Sequence, residues 1–261
     1  MTLARTLPRI VAAETLDSLV ADDPAAMRSR RDLQRIHRVM GTRSIVTRAL
    51  RKHMASSGAG HAGRPLRILE LGAGDGSLLL GVARALRGQW PAVELTLLDR
   101  QELVSGATVA SYAEAGWRAT SLTGDVFDWG AGRTGPDQPD DQHAESRWDL
   151  IVANLFLHHF EGAQLHSLLN AISTRCTRFF ACEPRRAYPA LAASHLVALI
   201  GANAVTREDA VLSVHAGFRG TELSQAWPAP TVDWTLDEYA AGPFSHCFCA
   251  LRRVPAAAVA A

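Results

Sequence analysis

One stretch decides the fold: Leu66-Arg67-Ile68-Leu69-Glu70-Leu71-Gly72-Ala73-Gly74-Asp75-Gly76. Its first six residues are mostly apolar, which predicts a short buried strand, and residues 76–86 follow with the spacing of a helix. Glycines between a strand and a helix allow a tight turn and let the backbone approach a ligand that a Cβ atom would block. The stretch therefore predicts a ligand-binding turn after the first strand of an α/β sheet.

Dinucleotide-binding proteins carry a similar turn, but three features of this sequence differ from theirs. The glycines are spaced G-x-G-x-G rather than G-x-G-x-x-G. Glu70 precedes the turn, where its charge would repel a pyrophosphate but suit a cationic ligand. Asp99 ends the second predicted strand, where it can accept the hydroxyls of a ribose, and Asp125 follows the third, at the height of an adenine amino group. These features disfavour a nicotinamide dehydrogenase.

The remainder of the chain continues the alternation of strands and helices. Further strands are predicted at 93–98, 117–122, 148–153 and 178–182, with helices at 102–114 and 163–174. Apolar strands that alternate with helices predict a parallel sheet covered on both faces. We expect 232–239 and 246–252 to close the sheet as a hairpin, and 130–146 to form a long, mobile loop.

The first 63 residues are predicted to form a helical appendage to a domain at 64–253, which a tail at 254–261 follows. Asp22-Asp23-Pro24 has the composition of a helix start, and apolar residues recur downstream at helical spacing. Residues 56–63, rich in glycine, serine and alanine, predict a flexible connector.

The motifs Glu70 to Gly76, Asp99, Gly124-Asp125-Val126 and Trp148 to Asn154 resemble, in order and spacing, those of class I S-adenosylmethionine-dependent methyltransferases. The resemblance implies a Rossmann-like, seven-stranded, mostly parallel sheet with helices on both faces. In that family the glycine turn packs on the methionine part of the cofactor, the second-strand acid binds ribose and the third-strand acid lies by the adenine. The predicted cofactor-binding residues are Glu70, Gly72, Ala73, Gly74, Gly76, Asp99, Arg100, Asp125, Val126, Asn154 and Leu155.

Members of the family commonly fold helices that precede the first strand over the cleft as a lid. The resemblance therefore implies a lid at 1–63, which would exclude water and hold a medium-sized apolar substrate. The alternatives to a lid are that the basic face of these helices is merely solvated or that it contacts an anionic partner. The predicted substrate-binding residues in the lid are Met27, Arg31, His37 and Met40.

A narrower resemblance, to small-molecule methyltransferases of type III polyketide synthase and quinone pathways, rests on Ser29 to Leu33 and on Asn154-Leu155-Phe156-Leu157-His158-His159-Phe160. A neutral imidazole can take the proton of a phenol as its oxygen attacks a methyl group. Because consecutive side chains point in different directions, we expect at most one of His158 and His159 to reach the substrate. The alternative is that one caps the following helix and the other packs beneath it.

Two later segments supply further candidates. In Glu183-Pro184-Arg185-Arg186, Glu183 either binds or deprotonates the substrate or pairs with an adjacent arginine, and Arg185 is a candidate substrate-binding residue. Residues 213–222 are predicted to be a turn beside the active site that contributes His215 and Arg219, which are otherwise surface residues of a loop.

Composition excludes several classes of protein. The 261 residues carry a formal net charge of +1, which argues against nucleic acid as the main partner. There is no apolar run of about 18 residues and no signal segment, so neither a membrane span nor secretion is expected. The four cysteines lack the spacing of a zinc site. We therefore expect a cytoplasmic protein with reduced thiols and without a metal, as a monomer or homodimer.

The leading hypothesis is methyl transfer from S-adenosylmethionine, leaving S-adenosylhomocysteine, to a phenolic or enolic hydroxyl of a small aromatic metabolite. Methylation of a quinol or aromatic carbon is the nearest alternative, because the same base would serve it. Modification of protein or RNA is less favoured, since Leu-Phe-Leu rather than a Pro-Pro-aromatic sequence follows Asn154. A cofactor-binding module without catalysis remains a further alternative.

Overall fold

The computed structural model describes residues 7–55, 64–134, 147–228 and 230–253. The strands are β1 (Leu66–Leu71), β2 (Val93–Asp99), β3 (Trp117–Thr123), β4 (Leu150–Asn154), β5 (Arg178–Pro184), β6 (Trp234–Ala241) and β7 (Ser245–Arg252). The helices are α1 (Thr15–Ser18), α2 (Pro24–Met40), α3 (Thr42–Ala55), α4 (Ser77–Leu86), α5 (Gly106–Glu114), α6 (Val126–Gly130), α7 (Gly162–Arg175), α8 (Tyr188–Ser194), α9 (Ala204–Ala216) and α10 (Glu222–Ala226), with 3₁₀ turns at Leu157–His159, Val197–Ile200 and Thr231–Asp233.

The strands form one seven-stranded sheet in the order β3-β2-β1-β4-β5-β7-β6. The first five strands of the chain run parallel, and β6 and β7 complete one edge as an antiparallel hairpin. The expected Rossmann-like sheet is thereby confirmed. The strand order reverses between β1 and β4, so the ligand crevice of this fold lies at their carboxyl ends.

Two apolar clusters cover the two faces of the sheet. Side chains alternate along each strand, so Ile68 and Val152 join one cluster, whereas Leu69 and Ile151 join the other. Helices α3, α4 and α5 contribute to the first cluster, and α6, α7 and α10 to the second. Cys247 and Cys249, two residues apart on β7, share the first cluster, and all four cysteines are buried free thiols.

The N-terminal helices pack on the sheet domain. The Asp23 carboxylate caps α2 by accepting hydrogen bonds from two backbone N–H groups of the first turn, with Pro24 at the first helical position, as predicted. Helices α1 and α2 pack against α9, and α3 packs against α4. Val46 and Leu50 of α3 are fully buried in the core of the domain.

The expected turn over 213–222 is wrong at both ends. Residues 213–216 form the last turn of α9, and Glu222 begins α10. The burial of Val214 and Ala216 explains why the helix continues to that point.

The predicted connector at 56–63, most of the predicted loop at 130–146 and the tail lie outside the described residues. Among the helices within the described ranges, none is both long enough and apolar enough to cross a bilayer.

Candidate active site

The glycine turn between β1 and α4 has a backbone that favours glycine. Gly72, Gly74 and Gly76 all have positive φ angles, of 65°, 56° and 73°. A Cβ atom on Gly72 would lie 2.3 Å from the Phe156 ring, whereas a Cβ atom on Gly74 would meet none of the described residues within 4 Å. Ala73 is buried, and its N–H group donates to the Leu98 carbonyl oxygen at 3.0 Å. The turn therefore packs tightly at Gly72 and leaves open space at Gly74.

Two buried hydrogen-bond acceptors without partners lie beside this turn. Glu70 Oε2 and Asn154 Oδ1 are both buried and accept no hydrogen bond from the described residues. Glu70 pairs with Val152 across β1 and β4, so Asn154, two residues further on, lies on the same face of the sheet. Burial, together with the charges of Asp75 and Asp99, raises the pKa of Glu70 well above its usual value. Such groups fit a ligand that brings donors or positive charge.

Asp99 joins the end of β2 to the glycine turn. Its Oδ2 atom accepts the Gly74 N–H at 2.8 Å, and its Oδ1 atom accepts the Gln101 N–H at 2.9 Å. A carboxylate has about four lone-pair sites, so both oxygens keep acceptor capacity for a ligand. Its neighbour Arg100 is exposed and donates to the Asp17 carbonyl oxygen at 2.7 Å.

Asp125 caps α6 by accepting the Phe127 N–H at 2.7 Å, and its side chain is exposed, whereas Val126 is buried.

After β4, Leu155 has a φ of 49°, an unfavourable conformation for a residue with a Cβ atom. Strained backbone of this kind concentrates at functional sites. It redirects the chain from β4 into the Leu157–His159 turn.

His158 and His159 point in the same direction, so the expectation that they diverge is wrong. They lie in a 3₁₀ turn rather than a strand, and their ring centroids are 4.1 Å apart. His158 Nε2 lies 3.2 Å from Glu14 Oε1, and His159 Nε2 lies 3.5 Å from Glu14 Oε2. Both imidazoles thus converge on one carboxylate. We call Glu14, His158 and His159 the histidine cluster.

Glu183 fixes the backbone of the turn that carries these histidines. It is fully buried and accepts the N–H groups of Phe156, Leu157 and His158 at 3.1, 3.0 and 3.3 Å. Its Oε2 atom also lies 2.9 Å from His158 Nδ1. The structure thus brings Glu183 to the predicted site as a group that orients His158.

The alternative pairing of Glu183 with an adjacent arginine is wrong, because those arginines have other partners. Arg186 pairs with Glu222, and Arg185 donates to the Gly242 carbonyl oxygen at 3.1 Å. Arg185 therefore faces the β6–β7 hairpin in this structure.

The charges of the histidine cluster stabilise one another. Burial alone would lower the pKa of His158, but hydrogen bonds to Glu14 and Glu183 raise it to about 9. Burial alone would raise the pKa of Glu14, yet the hydrogen bond with His158 and the adjacent His159 imidazole hold it well below its usual range. Ser213 also donates a hydrogen bond to Glu14. His158 therefore stays protonated at neutral pH while both carboxylates face it.

Residues 7–40, which we call the N-terminal segment, also contact the glycine turn. Gln34 donates to Asp75 at 2.7 Å, and Gln101, beside Asp99, donates to the Leu19 carbonyl oxygen at 2.9 Å. Near Asp75, burial lowers the pKa of His37 to about 4, partly offset by the Asp75 charge. The segment thus reaches both the glycine turn and the histidine cluster.

The other predicted substrate-binding residues are dispersed. Met27 is 47% exposed, Arg31 is exposed and Met40 is half-buried on α2. His215 lies in the last turn of α9, where its carbonyl oxygen accepts the Ile10 N–H at 3.1 Å. Arg219 lies 3.5 Å from Glu222. Met27 and Arg31 are on the solvent-facing side of their helix.

Sequence reasoning missed Glu14. The residue is 144 positions from His158, and it stands in a segment with no motif. The sequence marks Glu14 only as one of several carboxylates in the predicted lid. The fold, rather than local sequence, brings it to the histidines.

No protein-family model matches the chain, and no curated protein sequence matches it. Among solved structures, it is similar to a magnesium protoporphyrin IX methyltransferase from Synechocystis with bound SAH, at 16% identity and a TM-score of 0.51 over 89% of this chain and 96% of that one. It is also similar to an O-methyltransferase family protein from Burkholderia thailandensis, at 14% identity and a TM-score of 0.53 over 89% of this chain and 61% of that one. These similarities confirm the class I methyltransferase fold.

Proposed function

We propose that this chain transfers the methyl group of S-adenosylmethionine to a phenolic or enolic hydroxyl of a small molecule. One observation carries the proposal: unpartnered acceptors and a histidine cluster lie next to each other at the carboxyl ends of β1 and β4. The Phe156 ring links them, because it packs on Gly72 and its centroid lies 6.4 Å from that of His159.

The residues at the glycine turn fit S-adenosylmethionine chemically. Glu70 and Asn154 offer buried acceptors for the ammonium group, Asp99 has acceptor capacity for the ribose hydroxyls, and Gly74 leaves open space. Asp125 and Val126 are proposed to border the adenine. When bound, this cofactor supplies an electrophilic methyl group on a positively charged sulfur. A site rich in acceptors and acids stabilises that charge.

The histidine cluster supports a role in moving the proton of the acceptor. The Nδ1 atom of His159 lies 3.0 Å from the Phe156 carbonyl oxygen, which fixes that nitrogen as the donor and leaves Nε2 as the base. The His159 Nε2 atom is buried without a hydrogen-bond partner among the described residues, whereas His158 Nε2 lies 3.2 Å from Glu14 Oε1. We therefore assign proton acceptance to His159 Nε2, with His158, Glu14 and Glu183 as its positioning residues. Such a base contributes about 10²–10⁴-fold.

We also propose that the N-terminal segment is the lid of this site. Its support is the set of contacts that Glu14 makes with the histidines and Gln34 makes with Asp75. A lid excludes water and holds the acceptor in line with the methyl group. Carbon methylation is the second candidate, because the same base would take a proton from a quinol.

Radiolabelled S-adenosylmethionine tests the proposal. The purified protein is incubated with it and a lysate of the source cells, and the organic extract is separated from the macromolecular pellet. We expect label in the organic extract, much reduced with Asp99→Ala, and mass spectrometry with NMR of the product to place the methyl group on oxygen. Label confined to the pellet would contradict the proposal.

A further inference from the structure

We propose that the histidine cluster is a binding site for a divalent zinc ion. Its three members offer His158 Nε2, His159 Nε2 and a carboxylate oxygen of Glu14, and these atoms all lie within 4.8 Å of one another. Two imidazoles and one carboxylate form a donor set that zinc prefers in open, three-ligand sites. The inference does not depend on the proposed methyl transfer.

The spacing of the ligand atoms fits a tetrahedral ion. Zinc–nitrogen and zinc–oxygen bonds of about 2.0–2.1 Å place the ligand atoms of a tetrahedron about 3.3 Å apart. The Nε2 atoms of His158 and His159 lie 3.2 and 3.5 Å from oxygens of Glu14. These distances run to different oxygens of Glu14, and the three ligand atoms lie within 4.8 Å of one another, so side-chain movements of up to about 1.5 Å would admit the ion.

Independent contacts orient both imidazoles toward this point. His158 Nδ1 lies 2.9 Å from Glu183 Oε2, and His159 Nδ1 lies 3.0 Å from the Phe156 carbonyl oxygen. Carboxylates and carbonyl oxygens hold the second ring nitrogen of zinc-binding histidines in the same way, leaving Nε2 for the metal. His159 Nε2 is buried and has no hydrogen-bond partner among the described residues.

A fourth coordination position faces the N-terminal segment. Asp17 Oδ2 lies 3.6 Å from His159 Nε2, and the Asp17 side chain is half exposed. This position suits either the Asp17 carboxylate or a water molecule. Because Glu14 and Asp17 come from the N-terminal segment and the histidines follow β4, the ion would fasten the segment to the sheet domain. The single lone pair on His159 Nε2 can bind either a proton or the zinc ion, but not both. Zinc binding and proton acceptance are therefore alternative states of the cluster.

Zinc titration of the metal-stripped full chain tests the inference. The titration is run at about pH 8, since zinc must displace the proton that His158 Nε2 shares with Glu14, and we expect one equivalent to bind with a dissociation constant of about 1 µM or below in competition with a chromophoric chelator. His159→Ala and Glu14→Gln should each weaken binding by at least about tenfold. His166→Ala and Glu161→Gln, which change exposed residues outside the cluster, should bind as the unchanged chain does.

A second measurement separates this site from adventitious binding. Zinc should slow amide hydrogen exchange around residue 14 in the unchanged chain and leave it unaltered in His159→Ala, provided that circular dichroism shows that variant to be folded. Equal zinc affinity in His159→Ala and the unchanged chain would overturn the inference. So would one equivalent of bound zinc that leaves exchange around residue 14 unchanged.

Discussion

The two halves of the candidate site satisfy their polar groups in opposite ways. At the glycine turn, Glu70 and Asn154 are buried with an acceptor atom unpartnered, which costs free energy until a ligand binds. At the histidine cluster, both ring nitrogens of His158 face carboxylates, one of them supplied by Glu14 of the N-terminal segment. The glycine turn with Glu70, Asp99 and Asn154, which we call the socket, therefore has acceptor atoms available for its ligand. At the histidine cluster, by contrast, an acceptor molecule must share or displace existing contacts. Separating the two halves experimentally is the sharpest check on the proposed function.

The largest effect is expected from His159→Ala. Loss of the proposed base should lower the turnover number by about 10²–10⁴-fold. The affinity for S-adenosylhomocysteine, measured by calorimetry, should change by less than about threefold, because His159 lies outside the socket. His166→Ala, on the exposed face of α7, is the control. Parallel losses of turnover and affinity would show that the two halves are not separable.

Asp99→Ala should act on the other half. The substitution removes the proposed ribose acceptor and also frees the Gly74 N–H group, so we expect S-adenosylhomocysteine to bind about 100-fold more weakly. Calorimetric titration measures this, with thermal unfolding to verify that the protein is folded. Asp128→Asn, which alters an exposed ion pair with Arg133, should leave affinity unchanged. Undiminished affinity in Asp99→Ala would remove the ribose assignment.

The same contrast explains what the sequence could predict. The socket is built from strand ends and a glycine turn, and each of these features is local in sequence. Strand β1 was predicted with its observed bounds, and Asp99 was placed correctly at the end of β2. Parallel strands then bring these ends together by the topology of the sheet.

The histidine cluster could not be predicted in this way. It depends on Glu14, which tertiary packing of α1 on α9 brings to the histidines from a distant part of the chain. The 3₁₀ turn that aligns His158 with His159 depends on Glu183, which binds three N–H groups of that turn. Neither contact leaves a periodic signal in the sequence, so the histidines were identified without the partners that determine their chemistry.

Glu70→Gln should have opposite effects on binding and stability. Because burial raises the pKa of Glu70, the native state binds more protons than the unfolded chain above about pH 4.5, and the free energy of unfolding therefore falls as pH rises. Glutamine removes this penalty, so we expect greater stability at neutral pH in thermal unfolding.

Cofactor affinity should change in the other direction. An ammonium group favours the ionised carboxylate, so affinity for S-adenosylhomocysteine should rise with pH through the raised pKa of Glu70. In Glu70→Gln it should be about tenfold weaker at neutral pH and independent of pH over that range. Equal pH dependence in both proteins would mean that another group binds the ammonium.

Gln34→Ala is expected to have the smallest effect, and it tests whether the N-terminal segment couples the two halves. Its side chain donates to Asp75 in the glycine turn at 2.7 Å. Losing one such bond is worth about 1 kcal/mol, which corresponds to about fivefold in affinity for S-adenosylhomocysteine. Arg38→Ala, on the exposed face of the same helix, serves as the control. A loss confined to Gln34→Ala would show that the segment stabilises the socket as well as the cluster, whereas an unchanged affinity would restrict its role to the histidines.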